Sequence, residues 1–122
     1  MEKEFVPYDI ALTLKKLGFD EKCLGIYYNA EDGVVYSDPT WKLLIGGKAN
    51  ENNEWEVKAI LYQQSFRWFR EKHGLYHQIG WFGGDKYLCG ITPSSYTAEF
   101  ETYEEAELAC LRKLIEIVDE RY

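Results

Sequence analysis

The sequence predicts an α+β fold in which an N-terminal helix and a hairpin precede an α-β-β-β-α unit built on an antiparallel sheet. Apolar residues recur at helical spacing near both ends and in the middle of the chain. Between the last two of these stretches lie three short aromatic or β-branched runs, Leu75 to Phe82, Lys86 to Thr92 and Tyr96 to Glu101. Gly83, Gly84 and Asp85 separate the first two, and Pro93, Ser94 and Ser95 the last two, which reads as a three-stranded meander.

The elements follow in order. Pro7 with Ile10, Ala11, Leu14 and Leu17 predicts a helix over 7–17, opened by a proline in its first turn and closed by Gly18. Cys23 to Tyr28 and Val34 to Tyr36 flank turn chemistry at 29–33 and predict the hairpin. Trp41 to Ile45 is expected as a third strand, ending at Gly46 and Gly47, and 46–54 as a loop. Tyr62, Phe66 and Phe69 predict a second helix from about Ala59, closed by Gly74. Thr102 and Glu105 fit a capping box that opens a third helix, whose apolar arc of Ala106, Cys110, Leu111, Leu114, Ile117 and Val118 must cover a sheet face.

At 122 residues one core suffices, and a single domain spanning 1–122 is expected. A hydrophobic fraction of 46% and an aromatic fraction of 16% exclude a disordered chain. The formal charge of -7 disfavours nucleic acid and anionic lipid as partners. The stretch between residues 57 and 86 runs against that field, because Lys58, Arg67, Arg70, Lys72 and Lys86 face only Glu71 and Asp85. No export signal or membrane-spanning run is read. Three widely spaced cysteines, Cys23, Cys89 and Cys110, suit a reducing compartment, so the cytoplasm is the expected location.

The order α-β-β-β-α is shared with double-stranded-RNA-binding domains, an analogy of topology alone. Such domains grip phosphates with basic residues at the start of their last helix. Here Glu101, Glu104, Glu105 and Glu107 stand at that place, so this mode of RNA binding is not expected.

Few residues suggest chemistry. His73 and His77 are four apart, but Gly74 ends the helix between them and no close cysteine pair supports a metal site. His73 is expected to close a helix C-terminus as a cation, and His77 to lie on a strand surface. Cys89, beside Gly90, is the one cysteine in a segment expected to be open, while Cys23 and Cys110 fall on apolar faces. The glycine pairs lack the lysine of a phosphate-binding loop. Glu107 projects toward the apolar arc of the third helix. No catalytic residue, cofactor or metal is expected.

The stronger signal is aromatic. In the second helix Arg67, Arg70 and Lys72 flank Trp68, which lies about a third of a turn from the Tyr62, Phe66 and Phe69 stripe. An exposed Trp beside Arg has the composition of an interaction hot spot, and burial of Trp68 under the 46–54 loop is the alternative. Trp81, Phe82 and Tyr87 around the Gly83 and Gly84 turn form a second candidate patch.

The stretches YQQSFRWFREKHGL from Tyr62 and TYEEAELACLRKLIEI from Thr102, with FVPYDIAL from Phe5 and LGFD from Leu17, resemble a group of uncharacterised small proteins of phages, prophages and mobile elements of gut Bacteroidetes. The resemblance covers about half the chain and brings no assigned activity. It implies a phage-type accessory protein in the cytoplasm of a bacterial host.

The expected function is therefore non-enzymatic binding of a host or phage protein through Arg67, Trp68, Arg70, Trp81, Phe82 and Tyr87. The alternatives are a counter-defence protein that sequesters a small molecule or nucleotide with Arg67, Arg70 and the aromatics near Trp81, and a small enzyme using His77, Cys89 or a carboxylate pair. A free sheet edge also leaves a homodimer open.

Overall fold

Among the described residues the fold has three α-helices, a short 3-10 turn at Glu2–Glu4 and six strands, all paired antiparallel. The computed structural model describes residues 2–29, 41–45, 56–84 and 86–121, which belong to two compact units, Met1–Leu61 and Tyr62–Tyr122. Each unit is α+β in its own right.

In the first unit, helix α1 (Tyr8–Lys16) starts after Pro7 and buries Ile10, Ala11 and Leu14. It stops at a Schellman motif: Gly18, at φ +105°, donates to the Lys15 carbonyl at 3.1 Å and Phe19 to that of Leu14 at 3.0 Å. A left-handed backbone at this point is what selects glycine. Strand β1 (Gly25–Asn29) lies between β2 (Trp41–Ile45) and β3 (Glu56–Ala59), with Gly25 opposite both Ile45 and Ala59. The Val6 amide bonds the Ile60 carbonyl at 2.8 Å, and the Tyr27 hydroxyl donates to the Val6 carbonyl at 2.6 Å, which ties the segment before α1 to the sheet. Phe5, Val6, Phe19, Ile26, Val57 and Ile60 complete this core.

One expectation is corrected here. The second helix does not begin near Ala59, because 56–59 is strand β3, with Val57 and Ala59 buried on either side of a half-buried Lys58. The strand expected at Trp41–Ile45 is present and pairs with β1 on the side away from β3. The expected strand Val34 to Tyr36, its turn at 29–33 beyond Asn29, and the loop 46–54 lie outside the described residues.

In the second unit, helix α2 (Tyr62–His73) leads into β4 (Tyr76–Gly83), β5 (Lys86–Thr92), β6 (Thr97–Phe100) and helix α3 (Tyr103–Arg121). The strands form a meander in the order β4-β5-β6. Register puts His77, Ile79 and Trp81 of β4 on the same face as Tyr87, Cys89 and Ile91 of β5, and Ala98 and Phe100 of β6. Both helices pack on that face. Gly74, at φ +65°, closes α2 by donating to the Arg70 carbonyl at 3.2 Å. At the start of α3 the Glu105 amide donates to Thr102 Oγ1 at 3.1 Å, the N-cap bond that the sequence predicts. Ala106, Cys110, Leu111, Leu114 and Val118 are buried, each larger side chain contributing roughly 1.5–3 kcal/mol by leaving water.

Candidate functional site

The end of the second sheet nearest the β4–β5 turn carries a row of aromatic side chains across all three strands. Trp81 on β4 stands opposite Tyr87 on β5, and Tyr87 stands opposite Phe100 on β6. The next row inward, Ile79, Cys89 and Ala98, is covered, with Cys89 wholly buried. The aromatic row is open because α3 begins only at Tyr103 and its first buried residue is Ala106, a turn further on. Trp81 keeps 67% of its surface exposed and Tyr103 43%. Tyr87 and Phe100 are half-buried. Tyr103 meets Tyr87 edge to face, with centroids 6.1 Å apart and planes at 82°.

Trp81 is held in place. Its indole Nε1–H donates to the Gly84 carbonyl at 2.9 Å. Gly83 and Gly84 both take left-handed backbone, at φ +107° and +60°, and so fold the turn back beneath the indole edge. The polar edge of the ring is thus satisfied within the turn while its faces stay open to solvent.

Carboxylates flank the Tyr103 end of the row. Glu101, Glu104 and Glu105 are exposed and Glu107 is half-buried. Burial pushes the Tyr103 phenol above its ordinary value, and the charges of Glu107 and Glu104 push the same way, with a Tyr103–Glu107 hydrogen bond adding to it. Glu104 and Glu107 therefore lie within electrostatic reach of the Tyr103 ring.

The residues singled out by sequence divide between this row and α2. Trp68 is not exposed. It is 3% accessible and lies edge-on to Phe69, centroids 5.0 Å apart, and to His73 at 4.8 Å. The buried arc of α2 is wider than the Tyr62, Phe66 and Phe69 stripe because the helix packs on both β4 and α3. Arg67 and Arg70 are exposed on the opposite side of that helix. The charge of Arg70 reaches His77, which lies four residues before Trp81, or about 13 Å along an extended strand. The arginines and the Trp81 row are thus separate features. The side chain of Phe82 lies outside those described. Phe100 and Tyr103 escape the sequence reading, because their alignment with Trp81 depends on pairing across β5.

Comparison with known protein families, curated proteins and solved structures finds no match. The double-stranded-RNA-binding analogy accordingly rests on the order of elements alone.

The thiols and imidazoles are placed differently from the expectation. Cys89 is buried, not open, and burial pushes its thiol up. The Cys110 thiol points at the Gly90 carbonyl, 4.0 Å away, and is pushed up to about 12 by burial and by neighbouring Cys89. Neither is in a thiolate-stabilising environment. Cys23 is half-buried, its Sγ 3.5 Å from the Glu21 carbonyl. His77 is half-buried rather than open on the strand surface, its ring stacked on Phe66. His73 is not the cation that closes α2: burial and Arg121 hold its pKa below the ordinary value, and Arg121 Nη1 donates to the His73 carbonyl at 3.0 Å in its place. Among the described residues no group of three His, Cys, Asp or Glu side chains is arranged to hold a metal, and no helix is long and apolar enough to cross a membrane.

Proposed function

We propose that this chain is a non-enzymatic accessory protein that binds a protein partner in a bacterial cytoplasm, and that it does so through the row of Trp81, Tyr87, Phe100 and Tyr103. The carrying observation is Trp81, a large ring that is two-thirds exposed and yet fixed by its bond to the Gly84 carbonyl. A ring fixed before binding loses little rotamer freedom on contact, and burying an aromatic of this size removes roughly 150–250 Å² from water. Such rings dominate interface energetics. The earlier expectation of a hot spot at Trp68 is replaced, since that ring is already spent in the core.

The test is affinity capture from lysate of the native host with three forms of the protein: wild type, Trp81→Ala and Arg67→Ala. The reading expects a partner retained by wild type and Arg67→Ala and lost with Trp81→Ala, all three forms having the same circular dichroism. Equal capture by the Trp81 variant removes the row from the account. A small molecule that co-purifies, seen by native against denaturing mass spectrometry and independent of Trp81, replaces protein binding with sequestration.

A further inference from the structure

We propose that the aromatic row takes a basic segment of its protein partner, seating an arginine or lysine side chain over the Trp81 and Tyr87 rings with Glu104 and Glu107 as counter-charges. This rests on the preceding reading of the row as the docking surface and adds the chemistry of its occupant.

The charge beside the row is acidic: Glu104 and Glu107 both act on the Tyr103 ring, and Glu107 hydrogen-bonds it, whereas Glu99, next to Phe100 on β6, alternates to the opposite face. Lys86 precedes Tyr87 on β5 and strand alternation puts it on the opposite face, and Arg112 stands half a turn round α3 from Tyr103. Helix chemistry accounts for only part of this acid. Glu104 and Glu105 occupy the first turn of α3, where negative charge favours the helix. Glu107 lies beyond the first turn and hydrogen-bonds Tyr103, so the helix end does not explain it. What Glu104 and Glu107 share is the Tyr103 ring of the aromatic row.

A cation is attracted to the face of Trp more than to any other side chain, and a nearby carboxylate reinforces the attraction. Arginine fits best, since its planar guanidinium stacks on a ring and bonds a carboxylate at the same time. An anionic or phosphate-bearing occupant meets repulsion from Glu104 and Glu107, and a purely apolar one leaves their charges unused or desolvated. The overall charge of -7 steers a basic segment toward the molecule.

The experiment is an NMR titration of the 15N-labelled full chain, following the Trp81 indole N–H, with a short peptide alternating arginine and glycine and with its glutamate counterpart. The arginine peptide is expected to move the Trp81 indole signal in a saturable way, and the glutamate peptide to leave it in place. Glu104→Gln combined with Glu107→Gln should weaken binding several-fold, Trp81→Ala, followed at the Tyr87 and Tyr103 backbone amides, by about tenfold or more, and Glu120→Gln, at the far end of α3, not at all. Binding that is indifferent to Trp81 and falls equally with Glu120→Gln is a generic charge effect and overturns the proposal. No shift with the arginine peptide, alongside Trp81-dependent capture of a partner from lysate, also overturns it and leaves the row as a docking surface of another specificity.

Discussion

The imidazole of His77 lies flat on the ring of Phe66, with centroids 3.8 Å apart and planes 9° from parallel. One ring belongs to the first strand of the second sheet and the other to helix α2, so the stack is a side-chain link between them. Burial holds the His77 pKa below its ordinary value of 6.5, and the Arg70 charge pushes it the same way.

A pH dependence follows from that direction. As pH falls below about 6.5 the unfolded chain takes up a proton that the folded chain still refuses. The folded state therefore has its full His77 contribution above that pH and loses it as pH drops through the depressed folded value. Urea midpoints should fall between about pH 7.5 and pH 5. His77→Phe keeps a stacked ring without the proton, so its stability should vary less over the same range, the remaining slope including His73, whose pKa is lowered as well. His77→Ala loses the stack and should cost about 1 kcal/mol at neutral pH. Wild type and His77→Phe with identical slopes would contradict the assignment.

The three thiols should react in two classes. Cys89 and Cys110 have no accessible surface, and burial raises both, whereas Cys23 is half-buried. Because the thiolate is the reactive species, brief treatment of the native protein with iodoacetamide should modify Cys23 and spare the other two. In urea all three should react, as peptide mass spectrometry will show. Modification of Cys89 in the native protein at the rate of Cys23 would mean that the α3–β5 packing opens far more readily than its burial implies.

What the sequence could disclose depended on whether each feature was local. The turn glycines at 83 and 84, the Ser94 and Ser95 bend and the Thr102 cap act on their nearest neighbours, so β4, β5, β6 and α3 were legible within a residue or two. Strand β3 was not, since Val57 and Ala59 give only one full alternation and the apolar residues that follow run straight into α2. The fate of Trp68 turned on how wide an arc α2 buries, which is set by α3, some forty residues away in the chain. The aromatic row has the same origin: Trp81 and Tyr87 flank one turn and were both visible, but Phe100 and Tyr103 join them only through the β5–β6 register and the point at which α3 begins.

Arg121 and His73 are 48 positions apart, and the guanidinium donates to the backbone carbonyl that ends α2. A cation there interacts favourably with the negative end of the helix, the part expected of His73 itself. Its presence has a measurable consequence, because the Arg121 charge adds to burial in holding His73 unprotonated. Arg121→Gln should therefore raise the His73 pKa toward 6.5, read from the pH dependence of its ring signals in NMR, while the His77 titration, which depends on burial and Arg70, stays where it is. The stability loss should be under about 1 kcal/mol, since the contact is exposed and solvent screens it. A His73 titration that does not move would show that burial alone sets its pKa and that the Arg121 contact is not populated in solution.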